Sequence, residues 1–174
     1  MRVIGGEFRS RLLKSVPGTD VRPTPDRLRE ALFNVLAPRI EKTIFADIYA
    51  GTGAVGIEAL SRGAARAIFV DPHRSALTAL RANLQSLDLW DRAQVLQTRA
   101  IGVLPTLEAD IFFLDPPYRL EREYDAALDL LGSRAPKLVV VQHDIRQQLG
   151  RSYGALRQVR QLRQGDNVLS FYQP

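Results

Sequence analysis

Asp47-Ile48-Tyr49-Ala50-Gly51-Thr52-Gly53-Ala54-Val55-Gly56 begins in an apolar, β-rich run and ends in a helix-forming one. Its glycines at 51, 53 and 56 satisfy the pattern G-x-G-x-x-G. Thr43 to Ile48 predicts a strand and Ala54 to Ser61 a helix closed by Gly63, so the glycines lie in a strand-to-helix turn. Arg66 to Val70 predicts the next strand, ending at Asp71, twenty residues after Gly51. A loop without β-carbons lets its backbone approach a ligand closely, and a carboxylate at the next strand tip can accept hydrogen bonds from two ribose hydroxyls. The pattern fits NAD and S-adenosylmethionine equally. It identifies a nucleoside cofactor and leaves its kind open.

Downstream, strands and helices continue to alternate. Arg74 to Leu87 carries Leu77, Leu80, Leu84 and Leu87 on one helical stripe. Ala93 to Gln97 and Asp110 to Leu114 predict strands, with a short helical turn near Ile101 to Leu104 between them. Asp125 to Leu131 predicts a helix ended by Gly132, and Leu138 to Gln142 a fully buried strand. Leu156 to Leu162 and Val168 to Tyr172, joined by Arg163-Gln164-Gly165-Asp166-Asn167, predict a closing hairpin. The expected fold is α/β: a doubly wound, mostly parallel sheet with a C-terminal antiparallel hairpin. Upstream, short β pieces (Arg2 to Ile4, Phe8, Leu12 to Leu13) precede a helix. Thr24 is its expected cap, Pro25 its first residue and Asp26 its dipole partner. Leu28, Leu32, Val35 and Leu36 form the expected buried stripe, and Pro38 the stop. The organisation expected is an N-terminal basic extension over 1–40 and a core over 41–174.

At 174 residues the chain is long enough for one domain with a sizeable core. It has no cysteine, which excludes thiol catalysis, iron–sulfur clusters and Cys-ligated zinc. With only His73 and His143, no resident metal is expected. The longest apolar runs are far too short for a bilayer span, and Met1-Arg2-Val3 meets charge before a signal-peptide core could form. A soluble, cytoplasmic protein without a membrane partner is expected. The net charge of +5 is unevenly spread: residues 1–39 carry +4, residues 146–174 carry +4 and the middle −3. Of the 24 basic residues 21 are arginine, which suits forked contacts to phosphate and stacking on bases. Basic ends around a mildly acidic centre point to arms gripping a polyanion.

The fourth strand runs straight into Asp115-Pro116-Pro117-Tyr118. Two prolines remove two backbone donors and stiffen the turn, so its carbonyls are expected to be free acceptors. Asp115 adds a carboxylate and Tyr118 an aromatic plate. Acceptors beside a flat ring make a site for an amino group on a planar heterocycle. An exocyclic amino nitrogen is conjugated into its ring and is a poor nucleophile. Acceptors that hold its N–H groups help it pyramidalise toward a methyl donor, and in-line transfer then needs mainly positioning and electrostatics. Asp47 is expected at the cofactor's amino end, with capping of the loop backbone as its other reading. His73 and His143 are expected to be non-catalytic, and Trp90 to pack a turn.

With these residues in view, the chain resembles the bacterial 16S rRNA guanine-N2 methyltransferase family over nearly its whole length. The resemblance rests on Val3-Ile4-Gly5-Gly6 with Arg9 and Arg11, on Arg22 to Asn34, on Asp47 to Gly63, on Asp115 to Tyr118, and on Gly165-Asp166 with Tyr172. It implies a Rossmann-like class I methyltransferase fold with S-adenosylmethionine held by Asp47, Gly51, Gly53 and Asp71. It implies further that Asp115 and Pro116 hold the guanine amino group, that Tyr118 stacks on the base, and that Arg22 and Thr24 lie near the entrance. The implied partner is 16S rRNA, in the small ribosomal subunit or an assembly intermediate. Three positions depart from the family pattern. Asp71 stands in place of Glu, Arg99 replaces an acidic or amide residue before Ala100, and Gln142 stands where Glu is expected.

Three rivals remain at this level: an adenine-N6 or cytosine-N4 methyltransferase, an NAD-dependent reductase, and a non-enzymatic rRNA-binding assembly factor. The reductase reading lacks a Ser-Tyr-Lys constellation. If the basic ends neutralise about four phosphates, the logarithm of RNA affinity should fall with log salt at a slope near −3, from ~0.7 per single-strand contact. Filter binding across a salt series checks this, and a salt-insensitive affinity removes the phosphate-gripping role.

Overall fold

The structure is a computed structural model that describes residues 1–15, 24–117 and 120–174. Short runs apolar on both faces form its central strands, because helices cover a parallel sheet on both sides. In chain order the elements are α1 (Asp26–Leu36), β1 (Ile44–Ile48), α2 (Ala54–Ser61), β2 (Arg66–Val70), α3 (Arg74–Ser86), β3 (Ala93–Leu96) and α4 (Ala100–Val103). Then follow β4 (Ile111–Leu114), α5 (Glu121–Gly132), β5 (Leu138–Asp144), β6 (Ser152–Tyr153), β7 (Leu156–Gln164) and β8 (Asn167–Gln173). They build one sheet in the order β3-β2-β1-β4-β5-β8-β7-β6. Strands β1 to β5 are parallel; β8 is antiparallel to both β5 and β7. Chain order reverses between β1 and β4, so the ligand crevice of a doubly wound sheet opens above the carboxyl ends of these two strands. The doubly wound reading and the closing hairpin are thus both present.

The period-two alternation of the strands sorts the core into faces. Phe112, Leu114, Val139 and Val141 pack with α4 and α5 on one side. Phe45, Phe113, Val140 and Leu169 pack with α1 on the other. A third cluster joins β2 and α3 to Val3 and Leu13 of the N-terminal segment. The closing turn needs only two residues, Gly165 and Asp166, with Gly165 at φ +61° as a two-residue hairpin requires.

Several local expectations are corrected. Thr24 does not cap α1: the helix begins at Asp26 after Pro25 and has no side-chain cap. Phe33 is buried in α1, whereas Val35 is only partly so. The short N-terminal β pieces amount to a single bridge between Arg2 and Leu12. Helix α5 extends its Asp125 start back to Glu121, and the charged residues 121–123 form the solvated helix start that their types suggest. Trp90 lies in a 3₁₀ turn, 40% exposed, donating to Gln85.

What fixes the N-terminal segment is a buried ion. Glu58 of α2, wholly inaccessible, accepts the backbone N–H of Ile4 and of Gly5, each at 2.8 Å, and the Arg62 Nε at 2.7 Å. Arg29 of α1, equally buried, faces it at 3.7 Å and donates to the Arg2 carbonyl and to Asp26. Burial lowers the Arg29 pKa, and the two carboxylates oppose that shift. Ser61 adds a donor to the Gly5 carbonyl and an acceptor for Phe8 N–H. Removing one member of a buried pair leaves the other uncompensated, at a cost of about 3–5 kcal/mol. Glu58→Gln should therefore lower the unfolding free energy by about that amount in urea titration. Exposed Arg66→Gln should leave it within about 0.5 kcal/mol.

Candidate functional site

The turn after β1 is shaped by backbone requirements before any ligand is considered. Tyr49, Gly51 and Gly53 all have positive φ (+68°, +56° and +82°). A β-carbon at Gly53 would stand 2.1 Å from the Leu80 side chain, so this glycine is demanded by packing of α3 on the loop. A β-carbon at Gly51 would meet nothing within 4 Å. The face of the loop at Gly51 is therefore open, as close approach of a ligand requires.

Side chains then lock the loop. Asp71, just past β2, accepts the Gly51 N–H at 2.9 Å through one oxygen. Its other oxygen takes the His73 N–H at 2.8 Å and lies 2.9 Å from His73 Nδ1. Asp47, buried in β1, accepts the Gly56 N–H of α2 at 2.8 Å, so loop capping is one role it has. Buried Asn83 of α3 donates to the Thr52 carbonyl at 3.0 Å and clasps both backbone groups of Lys14.

At the end of β4, Asp115 receives a hydrogen bond from the Thr24 hydroxyl. Burial pushes its carboxyl up to about 7, against the opposing effect of Thr24. Burial also pushes Asp47 well above the usual carboxylate range; the Gly56 N–H opposes this, while neighbouring Asp115 and Asp71 add to it. Asp47 thus feels two neighbouring carboxylates at the mouth of the sheet. Among the described residues no group of His, Asp and Glu could hold a metal ion. An organic cation would relieve this repulsion, whereas the pyrophosphate of a dinucleotide would add to it.

The Pro-Pro turn differs from expectation in one respect. Its carbonyls are not left free: Pro116 accepts the Tyr124 hydroxyl at 3.0 Å, and Pro117 accepts the Leu120 N–H at 2.8 Å. The prolines remove donors as anticipated, but Tyr124 of α5 and Leu120, just before that helix, supply new ones to their carbonyls. Pro116 keeps only a second lone pair for any incoming amino group.

Of the residues singled out in the sequence, the structure brings together Asp47, Gly51, Gly53, Asp71, Asp115, Pro116 and Thr24 around the ends of β1, β2 and β4. Arg9 and Arg11 stand apart. Arg9 is exposed and lines a cleft of about 440 Å³ with Arg2, Arg27 and Glu30. Arg11 donates to the Ser86 carbonyl at 3.3 Å, at the end of α3. Arg22 and Tyr118 lie outside the described residues. His73 is exposed and tied to Asp71, while buried His143 is held between Ser170 and the Asp144 carbonyl. Glu58, Arg29 and Asn83 escaped sequence reasoning because each is polar inside a helical pattern that normally faces solvent. Thr24, read both as the α1 cap and as a residue near the entrance, does not cap the helix and holds Asp115 instead.

A glycine loop at the first strand, a carboxylate at the second and an acidic, proline-stiffened turn at the fourth, on a sheet closed by an antiparallel hairpin, define a Rossmann-like class I methyltransferase fold. Residues 1–173 match the family described as "Conserved hypothetical protein 95". The chain belongs to this family. It is 36% identical over 181 residues to "Putative rRNA methyltransferase YlbH" of Bacillus subtilis, covering 99% of this chain and 98% of that protein. It is 41% identical over 121 residues to "Ribosomal RNA small subunit methyltransferase D" of Escherichia coli K12, a match to 68% of this chain and 61% of that protein. Among solved structures, "Putative methyltransferase yhhF from Escherichia coli" superposes with a TM-score of 0.87 at 33% identity, covering 99% of this chain and 97% of that one.

Gly51→Ala tests the open face of the loop. A left-handed alanine costs roughly 1–2 kcal/mol, a tolerable loss for the fold. A methyl group in the ligand's space should weaken S-adenosylmethionine binding at least tenfold by isothermal titration. An unchanged affinity would remove the loop from the cofactor site.

Proposed function

We propose that the chain methylates the exocyclic N2 amino group of one guanine in 16S rRNA of the small ribosomal subunit. S-adenosylmethionine is its cofactor and supplies an activated methyl group on a sulfonium centre. The acidic surroundings of Asp47, Asp71 and Asp115 suit that cation. Asp47 and Asp71 are the residues to hold it, with Gly51 and Gly53 giving its approach.

One observation carries the reading: the half-buried Asp115 at the end of β4 is held by the Thr24 hydroxyl beside the glycine loop, and desolvation pushes its carboxyl up to about 7. In its ionised form Asp115 accepts an N–H of the target amino group and draws its lone pair out of conjugation. As the nitrogen becomes cationic, the same carboxylate is placed to take the proton that must leave. The buried Pro116 fixes the turn, and its remaining lone pair can accept the second N–H. Tyr118 would stack on the base, returning ~1–3 kcal/mol against the few kcal/mol spent in unstacking it.

Residues 1–40 serve as the RNA-gripping extension of a 41–174 core. Arg9 and Arg11 contact phosphate, while Arg22 and Thr24 border the entrance. Single-stranded or splayed bases in folded RNA are the accessible targets for such a site. No helix among the described residues is long and apolar enough to cross a membrane.

The decisive assay is transfer from labelled S-adenosylmethionine to unmodified small subunits and naked rRNA, followed by nucleoside mass spectrometry. N2-methylguanosine is expected, reduced about 100-fold or more in Asp115→Asn. Adenine or cytosine products would replace the guanine reading. Because Asp115 must be ionised, kcat should rise with pH through about 7 and then level off. The same raised pKa means that ionising Asp115 costs the folded state stability above its unfolded value near 4. Asp115→Asn should therefore raise Tm at pH 8 while lowering transfer by that same factor.

A further inference from the structure

Gln142 lies near the end of β5, only 3% exposed, and its carboxamide oxygen has no hydrogen-bond partner. A buried acceptor left unpaired in a strand is unusual and calls for a donor from outside. Its place in the sheet indicates where that donor would come from. Leu114 of β4 pairs with Val141 of β5, so the next residues along these parallel strands are Asp115 and Gln142. Alternation puts both on the sheet face of Phe113 and Val140, the face covered by α1. Thr24, two residues before α1, bonds Asp115 from that same side. On the other flank, Gln142 faces Leu169 of β8, which offers no polar side chain. The nearest polar pair on β5 and β8, His143 with Ser170, is already closed on itself at 2.8 Å.

We propose that Gln142 is a specificity-determining residue: its carboxamide oxygen accepts the N1–H of the target guanine while Asp115 accepts from the adjacent N2 amino group. The inference rests on the guanine-N2 reading above and adds to it how guanine is told from the other amino-bearing bases. Guanine presents two neighbouring donors, N1–H and the N2 amino group. Adenine and cytosine present an amino group beside a bare ring nitrogen, an acceptor. Two acceptors side by side therefore match guanine. Against adenine or cytosine one of them would meet a lone pair, and a buried acceptor without its donor is penalised heavily.

The test uses the full chain and small subunits carrying the target guanine located by mass spectrometry of the wild-type product. Gln142→Leu keeps the shape and removes both polar atoms; Gln142→Glu keeps an acceptor and removes the donor. Gln142→Leu should lose roughly 10- to 100-fold in kcat/KM, with unchanged affinity for S-adenosylmethionine and an equal or higher Tm. Gln142→Glu should retain guanine methylation within a few-fold. Replacing the target by 2-aminopurine, which keeps the amino group but lacks N1–H, should cost the wild type a similar factor and cost Gln142→Leu nothing further.

The inference is overturned if Gln142→Leu is as active as wild type, if Gln142→Glu falls as far as Gln142→Leu, or if Gln142→Leu loses Tm along with activity. The last two outcomes would make the amide a donor or a packing element. Failure of the guanine reading is seen separately, as absence of N2-methylguanosine from the wild-type reaction.

Discussion

Glu58 joins three parts of the chain that share no secondary structure. Its carboxylate takes the backbone donors of Ile4 and Gly5, the guanidinium of Arg62 and the field of Arg29. Through Arg29 the same centre reaches the Arg2 carbonyl and Asp26 at the head of α1. Desolvating two ions is expensive, and only the several hydrogen bonds around them offset it. The result is geometric. Helix α1 is held at one end by this pair and along its length by Leu28, Leu32 and Phe33. Thr24, immediately upstream, is thereby brought to Asp115. The position of the candidate base site thus depends on a charge pair in the body of the protein.

Above that frame the electrostatics run against stability. The charges of Asp71 and Asp115 oppose ionisation of Asp47, and burial penalises Asp47 and Asp115 further. Backbone donors absorb part of the cost: Gly56 on Asp47, Gly51 and His73 on Asp71. A cationic ligand would absorb much of the remainder. A site whose stored repulsion is relieved by its ligand couples occupancy to folding, because whatever binds the native state alone stabilises it.

How much of this could be read from the residues follows from their periodicity. The glycine turn, Asp71 and the parallel strands carry short-range patterns, apolar runs broken by glycine, and these appear in the structure with bounds shifted by a residue or two. Residues 152–153 form a strand too short to show a pattern, so β6 was not anticipated. Contacts across dozens of residues leave no local trace. Nothing near Glu58 announces that its partners are residues 4 and 5, and Arg29 occupies an exposed-looking position in its helix. The Pro-Pro turn departs from its rule at much shorter range. A local rule predicts free carbonyls, but Tyr124 and Leu120 return in space to occupy them. Thr24 shows the reverse case, a residue whose type suits a helix cap and whose hydroxyl is used elsewhere.

The sheet order has a consequence for synthesis. Strand β8 is not at the edge: it is inserted between β5 and β7. During translation the parallel half is complete once β5 emerges, yet the Leu138–Val141 run then stands as an open, apolar edge until residues 167–173 leave the ribosome. An unpaired edge of that kind is a template for pairing between chains. The nascent protein must either delay closure of β5 or be shielded while β8 is made. The strand that seals the sheet is thus made well after the strand it covers.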